Sequence, residues 1–331
     1  MTFQITIENS DIHFDIAENE TILSAIQRAG YDAPYSCNKG ICGNCKGSIL
    51  SGNCQSMSAS DGISKEELAQ GQALFCVAKA NSNLVIQAAR ITKKDEMVCK
   101  EFKLKIFKLI SAADDVTIVQ LRMPIGQRAK FKAGQFLEVM MPNGQKRSYS
   151  LANAPSADTI ELHIRHVPQG KFSSEYLPSL KVGDILNIEF PKGDFYLRPG
   201  NSPIILLASG TGFAPIQSIL TVLEKNDQIG LATLYWGARS KKDLYALDKI
   251  KKIQESHPEF RFIPVLSEPT ESDNWQGRQG FVHQAVLDDF ESLENHMVYA
   301  CGAPIMVQSA KKDFSSLKKL SPEQFFSDAF V

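Results

Sequence analysis

The sequence predicts three consecutive domains: a small α+β domain, a six-stranded antiparallel β-barrel, and an α/β domain with a doubly wound parallel sheet. Three observations support this prediction. Near the amino terminus, three cysteines have the spacing C-x4-C-x2-C, and a fourth follows after a long gap. Short strand patterns separated by turns fill residues 102–190, and strands alternate with helices from about residue 200. The expected boundaries are 1–92, a charged linker at 93–101, 102–199 and 200–331.

The four cysteines are the most specific motif in the chain. Cys37, Cys42 and Cys45 share a glycine-rich run, and Cys76 stands alone farther on. This is the plant-type spacing for a [2Fe–2S] cluster held by four thiolates. A structural zinc site is the alternative, but such sites usually have two close pairs of ligands. The motif therefore favours the cluster, which implies one-electron chemistry.

The segment around these cysteines fits a β-grasp ferredoxin. Apolar residues alternate with polar ones at 3–7 and 12–16, which predicts a β-hairpin, and residues 20–30 have the pattern of a short helix. Cys54 and Cys99 fit no ligand spacing, so we interpret both as structural.

Composition excludes several classes of function. The 331 residues are 43% hydrophobic and 22% charged, which is typical of a globular protein, and the net charge of −1 favours neither nucleic acid nor an anionic membrane. The apolar run 203–208 is too short to span a bilayer, and the amino terminus lacks a signal-peptide pattern. Seven cysteines in such a chain predict a reducing cytoplasm.

Three turns in the α/β region follow predicted strands. The carboxyl ends of parallel strands share one edge, so these turns predict a single dinucleotide crevice. The candidate binding residues at this edge are Gly210, Thr211, Gly212, Gly237, Arg239, Cys301, Gly302 and Pro304. We expect Cys301 to be exposed there to position a nicotinamide, with a small buried apolar residue as the alternative. The first turn alone is weak evidence for dinucleotide binding, because Pro215 replaces the third glycine of the usual G-x-G-x-x-G motif.

Side chains suited to a phosphate and an aromatic ring lie in the predicted barrel. They occur in the runs Arg147–Ser150, His163–Arg165 and Gly170–Ser174. Arginine offers a two-pronged donor for phosphate, and tyrosine offers a flat face for a ring. Composition alone would instead favour Arg147 and Arg165 as ordinary surface charges.

In this order, the runs RSYS, GTGFAP and CGAP resemble those of the ferredoxin–NADP⁺ reductase superfamily. With a plant-type ferredoxin at the amino terminus, the whole chain resembles the one-chain reductases of ring-hydroxylating dioxygenases and methane monooxygenase. It most resembles the CDP-6-deoxy-L-threo-D-glycero-4-hexulose-3-dehydrase reductases, on the runs Arg147–Pro155, Gly280–Leu287 and Phe325–Val331. One departure is Phe190–Phe195, where many relatives have a glycine in place of the first residue.

The resemblance implies roles for the matching positions. FAD would be held by four residues of one strand: Arg147, Ser148, Tyr149 and Ser150. Its ribityl and phosphate side would be lined by His163, Ile164, Arg165 and Val167. Ser173 would bind its pyrophosphate, in the phosphate cradle that begins at Gly170. The implied catalytic residues are Tyr149 at the isoalloxazine ring, Ser150 near N5, Cys301 at the nicotinamide, and Phe330, which would stack on the other flavin face and move aside.

The resemblance also implies an activity. NADH would deliver a hydride to FAD, and single electrons would then pass to the [2Fe–2S] cluster and on to a partner enzyme. Arg239, Lys241 and Lys242 weakly favour NADPH, whereas Asp243 and the resemblance favour NADH.

The implied partner is a pyridoxamine-phosphate-dependent CDP-hexulose dehydrase. It would dock near the cluster loop, the glycine-rich run that contains Cys37, Cys42 and Cys45. Residues 1–92 have a net charge of only −3, and Lys39 and Lys46 flank the loop, so the docking rim need not be acidic. The first alternative is a ring-hydroxylating dioxygenase or diiron monooxygenase as the acceptor. The second is a non-catalytic iron–sulfur redox sensor, which would not need a hydride acceptor.

Overall fold

A computed structural model describes residues 2–55, 59–60, 62–93 and 97–330. The chain divides into two compact units. The first contains residues 1–96 with the short segments 193–195 and 327–331, and the second contains residues 97–192 and 196–326. In the described part of the chain, no helix is both long enough and apolar enough to cross a membrane.

The first unit has the predicted hairpin, helix and cysteine-rich loop. Its elements are β1 Thr2–Ile7, β2 His13–Ala17, α1 Ile22–Arg28, β3 Tyr31–Asp32, β4 Lys46–Ser51, β5 Cys54–Gln55, α2 Lys65–Ala69, β6 Gln72–Leu74, β7 Lys79–Ala80, β8 Leu84–Ala88 and β9 Thr92–Lys93. The main sheet has the order β2-β1-β8-β4-β6. The Thr21 side chain accepts a hydrogen bond from the Ser24 N–H and so caps α1. Apolar residues that alternate along β1 and β2 pack under this helix.

The barrel half of the second unit has six antiparallel strands, as predicted. They are β10 Lys100–Ala113, β11 Val116–Arg122, β12 Phe136–Met140, β13 Lys146–Ser150, β14 Thr159–Arg165 and β15 Ile185–Lys192. Their order is β13-β12-β15-β10-β11-β14. The N–H of Ala152 donates to the carbonyl of Glu161 at 2.9 Å, which links the two outer strands. Because β10 begins at Lys100, the expected linker is shorter than 93–101, and its residues 94–96 lie outside the described ranges.

The α/β half of the second unit has the predicted alternation of strands and helices. Its elements are β16 Ile204–Ser209, α3 Phe213–Lys225, β17 Ala232–Ala238, α4 Leu247–Ser256, β18 Arg261–Leu266, β19 Arg278–Gln279, α5 Val282–Asp289, β20 Met297–Gly302, α6 Pro304–Lys318 and β21 Phe325–Ala329. The strand order is β19-β18-β17-β16-β20-β21, with parallel pairing around the buried β16. Helix α6 and strand β21 were not among the predicted elements.

Candidate functional site

The structure places the four predicted ligand cysteines in two interacting pairs. Cys37 pairs with Cys42, and Cys45 pairs with Cys76. The bond shared with Cys42 lowers the pKa of the Cys37 thiol to about 5, and the same bond raises the pKa of Cys42. The charge of Cys37 also acts on Cys76, so the two pairs lie within electrostatic reach of each other.

The loop around these thiols has the chemistry that an iron–sulfur cluster requires. The backbone N–H groups of Lys39 and Cys42 both point to Cys37 Sγ at 3.4 Å. Gly43 has φ +76°, and a Cβ there would lie 2.9 Å from the carbonyl oxygen of Gly62. Two thiol pairs, with backbone donors aimed at the sulfur of Cys37, fit a [2Fe–2S] cluster, which would hold all four cysteines as thiolates.

Strand β13 presents the predicted flavin residues on its two faces. Arg147 and Tyr149 share one face, and the buried Ser150 lies on the other with the exposed Ser148. The Tyr149 ring lies 5.2 Å from the ring of Phe172, centroid to centroid. Burial raises the pKa of Tyr149, so its hydroxyl stays protonated. This strand therefore offers a flat ring beside a guanidinium group.

A short helical segment lies between barrel strands β14 and β15, where a phosphate cradle was predicted. Gly170 precedes the helical residues Lys171–Tyr176, and a Cβ at Gly170 would clash with Ser173 Oγ. Ser173 is buried, and its Oγ accepts from the N–H of Val167 at 3.1 Å. The Val167 side chain is exposed. Close approach of the backbone explains why glycine occupies position 170.

Arg165 lies beside the dinucleotide turn, Gly210–Gly212, which is the first of the three turns predicted to bind a dinucleotide. A Cβ at Gly210, whose φ is +53°, would lie 3.2 Å from Arg165 Nη2. Arg165 Nη1 pairs with Asp115 Oδ2 at 3.4 Å. Within the described ranges, Arg165 Nε and Nη2 are buried and have no hydrogen-bond partner. Buried donors without acceptors are costly, so this corner fits an anionic pyrophosphate.

Two of the predicted glycine turns meet at the carboxyl edge of the sheet. A Cβ at Gly212 would clash with the backbone carbonyl of Cys301, and a Cβ at Gly302, where φ is +135°, would clash with Ser209. The buried Thr211 lies in the same turn, and Pro304 is the first residue of α6. The turns after β16 and β20 therefore form one continuous surface, as expected for a dinucleotide crevice.

The third turn is arranged differently. A Cβ at Gly237 would lie 2.8 Å from Val282 Cβ, so this glycine permits close packing of α5 against β17. Arg239 is exposed, and its Nε lies 4.0 Å from Asp243 Oδ2.

One expected side-chain placement is wrong. Cys301 was expected to be exposed, but it is fully buried at the end of β20, as in the alternative of a small buried residue. The side chain of Ile164 points into the barrel core. His163 is 5% exposed and bonds to Tyr245 and Glu161. Strand alternation and local packing decide these directions, and neither can be derived from a short motif alone.

One group of contacts in the first unit was not predicted from the sequence. Ser36 Oγ hydrogen-bonds to the carboxylate of Asp328, and both residues are buried. Asn44 Nδ2 donates to the carbonyl of Ser327 at 2.6 Å. Ser36 and Asn44 directly precede the ligands Cys37 and Cys45, so the carboxyl-terminal segment, which includes the 37% exposed Phe330, contacts the cluster loop. Partners 283 and 292 positions apart leave no local pattern.

Three known domain families match the same three regions of the chain. A 2Fe-2S iron-sulfur cluster binding domain matches residues 5–81, an oxidoreductase FAD-binding domain matches 101–196, and an oxidoreductase NAD-binding domain matches 206–312. The chain is 40% identical over 335 residues to reductase component 1 of terephthalate 1,2-dioxygenase from Comamonas sp., covering 100% of this chain and 98% of that one. It is 37% identical over 333 residues to the CDP-6-deoxy-L-threo-D-glycero-4-hexulose-3-dehydrase reductase of Yersinia pseudotuberculosis, covering 100% and 99%.

Solved structures of related proteins are similar to this structure over the full length of the chain. The crystal structure of an Amycolatopsis cytochrome P450 reductase is 32% identical, with a TM-score of 0.77 and coverage of 99% of this chain and 98% of that chain. The ferredoxin reductase of carbazole 1,9a-dioxygenase is 26% identical, with a TM-score of 0.71 and coverage of 100% and 99%. The chain therefore belongs to the iron–sulfur flavoprotein reductases of the ferredoxin-reductase type, electron-transfer oxidoreductases that use NADH, FAD and a [2Fe–2S] cluster.

Proposed function

We propose that this reductase supplies single electrons to the oxygenase component of a ring-hydroxylating system. The observation that carries the proposal is the full-length identity of 40% to a terephthalate dioxygenase reductase component. That relative is named as a reductase component, so the proposed acceptor is the oxygenase component.

The residues of the second unit would bind and align the two nucleotides. Tyr149 would cover the flavin ring, Arg147 and Arg165 would neutralise phosphate charge, and the Gly210 turn would receive the pyrophosphate of NADH at the start of α3. The buried Ser150 would contribute a hydroxyl beside the flavin without admitting bulk water. When bound, FAD accepts two electrons as hydride and releases them one at a time, which suits a one-electron cluster.

The exposed side of the cluster loop marks the proposed docking site for the acceptor. Of the four ligand cysteines, Cys37 is half-buried and the other three are buried. Asn38 and Lys39, next along the chain, are exposed, whereas Lys46 forms an ion pair with Glu67 at 2.6 Å. Electron transfer favours the ligand nearest the surface, so the acceptor would approach at Cys37. Lys39→Glu should change the apparent KM for the acceptor while the rate of ferricyanide reduction stays unchanged, and Lys46→Ala is the matched control.

A CDP-hexulose dehydrase is the second candidate acceptor, because 37% identity extends over the whole dehydrase reductase. The two acceptors are separated by one experiment. The protein is reduced anaerobically with NADH and mixed with a terephthalate-type oxygenase or with the dehydrase, and re-oxidation of the cluster is followed by its absorbance. Faster re-oxidation by the oxygenase supports the proposal, and faster re-oxidation by the dehydrase contradicts it.

NADH oxidation with artificial acceptors tests the activity apart from the partner. The purified protein should show the absorbance of both a flavin and a ferredoxin-type cluster, and NADH should drive rapid reduction of ferricyanide and cytochrome c. A colourless protein would contradict both the assignment and the sensor interpretation, whereas a coloured protein that NADH does not reduce would leave the sensor interpretation.

A further inference from the structure

A buried histidine joins the two halves of the second unit. His163 lies on barrel strand β14, and its Nδ1 is 2.8 Å from the hydroxyl of Tyr245, which lies between β17 and α4 in the α/β half. Its Nε2 is 3.0 Å from Glu161 Oε1. A carboxylate can only accept, which assigns the proton to Nε2, so Nδ1 accepts from the tyrosine hydroxyl.

Glu161 extends the same set of bonds. Its carboxylate also accepts from Gln217 Nε2 at 2.9 Å and from Gln120 Nε2 at 2.8 Å. Burial alone would raise the pKa of Glu161, but hydrogen bonds from His163, Gln217 and Gln120 outweigh it and lower the pKa to about 2. Gln217 belongs to α3 and Gln120 to β11, so the charged carboxylate also bonds to both halves.

Hydrogen bonds are important here because packing between the halves is incomplete. A cleft of about 690 Å³ opens beside these groups, lined in part by Gln120, Glu161, His163 and Tyr245. Side chains along a cleft lack close neighbours on one side, so directional bonds fix the relative position of the two halves there.

An aromatic cluster leads from Tyr245 to the dinucleotide turn. The Tyr245 ring meets Trp236 edge-on, with centroids 5.3 Å apart and an interplanar angle of 88°. Trp236 stacks on Phe213 at 4.2 Å, and its Nε1 donates to the carbonyl of Gly210 at 3.0 Å. Trp236 and Phe213 are fully buried, so this path is rigid from the histidine to the turn.

We infer that Glu161, His163 and Tyr245 are positioning residues. They fix the position of the Gly210 turn relative to β13, the barrel strand proposed to bind FAD. The inference rests on the proposed binding of FAD at β13 and of NADH at the Gly210 turn. Hydride transfer needs the two reacting atoms at near contact distance and correctly aligned, and misplacement by about 1 Å costs on the order of a hundredfold in rate. Looser contact between the halves should therefore slow hydride transfer more than it weakens NADH binding.

Tyr245→Phe tests this by removing one hydroxyl. In anaerobic stopped-flow experiments on the holoenzyme, we expect the limiting rate of flavin reduction by NADH to fall about tenfold or more. The Kd for NADH should change by less than about threefold, and the nicotinamide–flavin charge-transfer absorbance should weaken. Tyr235→Phe is the matched control, because the hydroxyl of Tyr235 bonds to Asp289 at 2.6 Å within the α/β half and not to the barrel half.

A second pair of variants tests the same inference through the histidine. His163→Asn keeps an acceptor for the tyrosine hydroxyl and should retain more of the limiting rate than His163→Leu, at comparable thermal stability. An unchanged limiting rate in Tyr245→Phe, or a loss no greater than that of Tyr235→Phe, would overturn the inference. A wild-type protein that NADH fails to reduce would instead contradict the proposed function, and with it the positioning role.

Discussion

Arg165 and Gly210 meet where the barrel half and the dinucleotide turn come together. The guanidinium group lies against the glycine, with Nη2 3.2 Å from the place where a Cβ would stand. Any side chain at position 210 would crowd the arginine, and φ of +53° already favours glycine there. The two buried nitrogens of Arg165 that lack a partner among the described residues therefore face a surface made of backbone, which an anionic ligand can approach closely.

Arg165→Leu should weaken FAD binding. Hydrogen bonds to charged groups are worth about 1.5–3 kcal/mol each, so losing those to the pyrophosphate should raise the Kd for FAD about ten- to hundredfold. Fluorescence titration of deflavinated protein measures this directly. Arg122→Leu is the control, since Arg122 stacks on Phe107 elsewhere on the barrel at 4.2 Å. Equal affinity for FAD in Arg165→Leu and wild type would show that Arg165 does not contribute to FAD binding.

The seven cysteines should separate into ligands and structural residues. Cys42→Ser should abolish or cripple the cluster, because a buried ligand thiol is lost from its pair. Cys54→Ser and Cys99→Ser should retain it, since burial raises the pKa of both thiols and neither belongs to the ligand pairs. Iron content and the electron paramagnetic resonance signal of the reduced protein distinguish these outcomes. Cluster loss in Cys54→Ser would contradict the ligand assignment.

Much of the fold was predictable because it rests on local periodicity. The hairpin β1–β2 alternates apolar residues, and β16 is a short apolar run followed by glycines. Helix α6 also has a local signal in the sequence, since Pro304 stands at its first position.

Side-chain direction was less predictable. The sequence places His163, Ile164 and Arg165 next to one another, but strand alternation sends Ile164 into the barrel core and the other two to the opposite face. What those two contact then depends on Tyr245, 82 positions from His163, and on Gly210, which lies against Arg165. Such partners are set by tertiary packing, which a single sequence does not encode as a pattern.

NADH should be preferred over NADPH by at least about tenfold in kcat/KM, equivalent to about 1.4 kcal/mol. Two of the basic side chains that could hold a 2′-phosphate already lie beside acidic residues. The Lys241 Nζ donates to the backbone carbonyl of Asp273 at 3.5 Å, and Arg239 Nε lies 4.0 Å from Asp243 Oδ2. Steady-state kinetics with both nucleotides measure the preference. Lys242→Ala should leave the ratio unchanged, because Lys242 forms an exposed ion pair on the barrel side, and a preference for NADPH would refute the expectation.

The contribution of Glu161 to stability should depend on pH. Its pKa is about 2 in the folded protein, against an ordinary value of 4.5, so the charged form stabilises the fold above about pH 4.5 and this stabilisation is lost as pH falls toward 2. Burial also lowers the pKa of His163, which makes the fold less stable as pH falls below 6.5. Both effects act in the same direction.

Urea unfolding of wild type and Glu161→Gln provides the measurement. Wild type should be more stable at about pH 7, by at most about 3 kcal/mol, and the difference should narrow by about 1 kcal/mol at about pH 4. Glu175→Gln is the control, since Glu175 forms an exposed pair with Lys171 at 2.8 Å and should change the free energy of unfolding by less than about 0.5 kcal/mol. A difference that stays constant between the two pH values would show that the Glu161 carboxylate is not held in its charged form by the bonds from His163, Gln217 and Gln120.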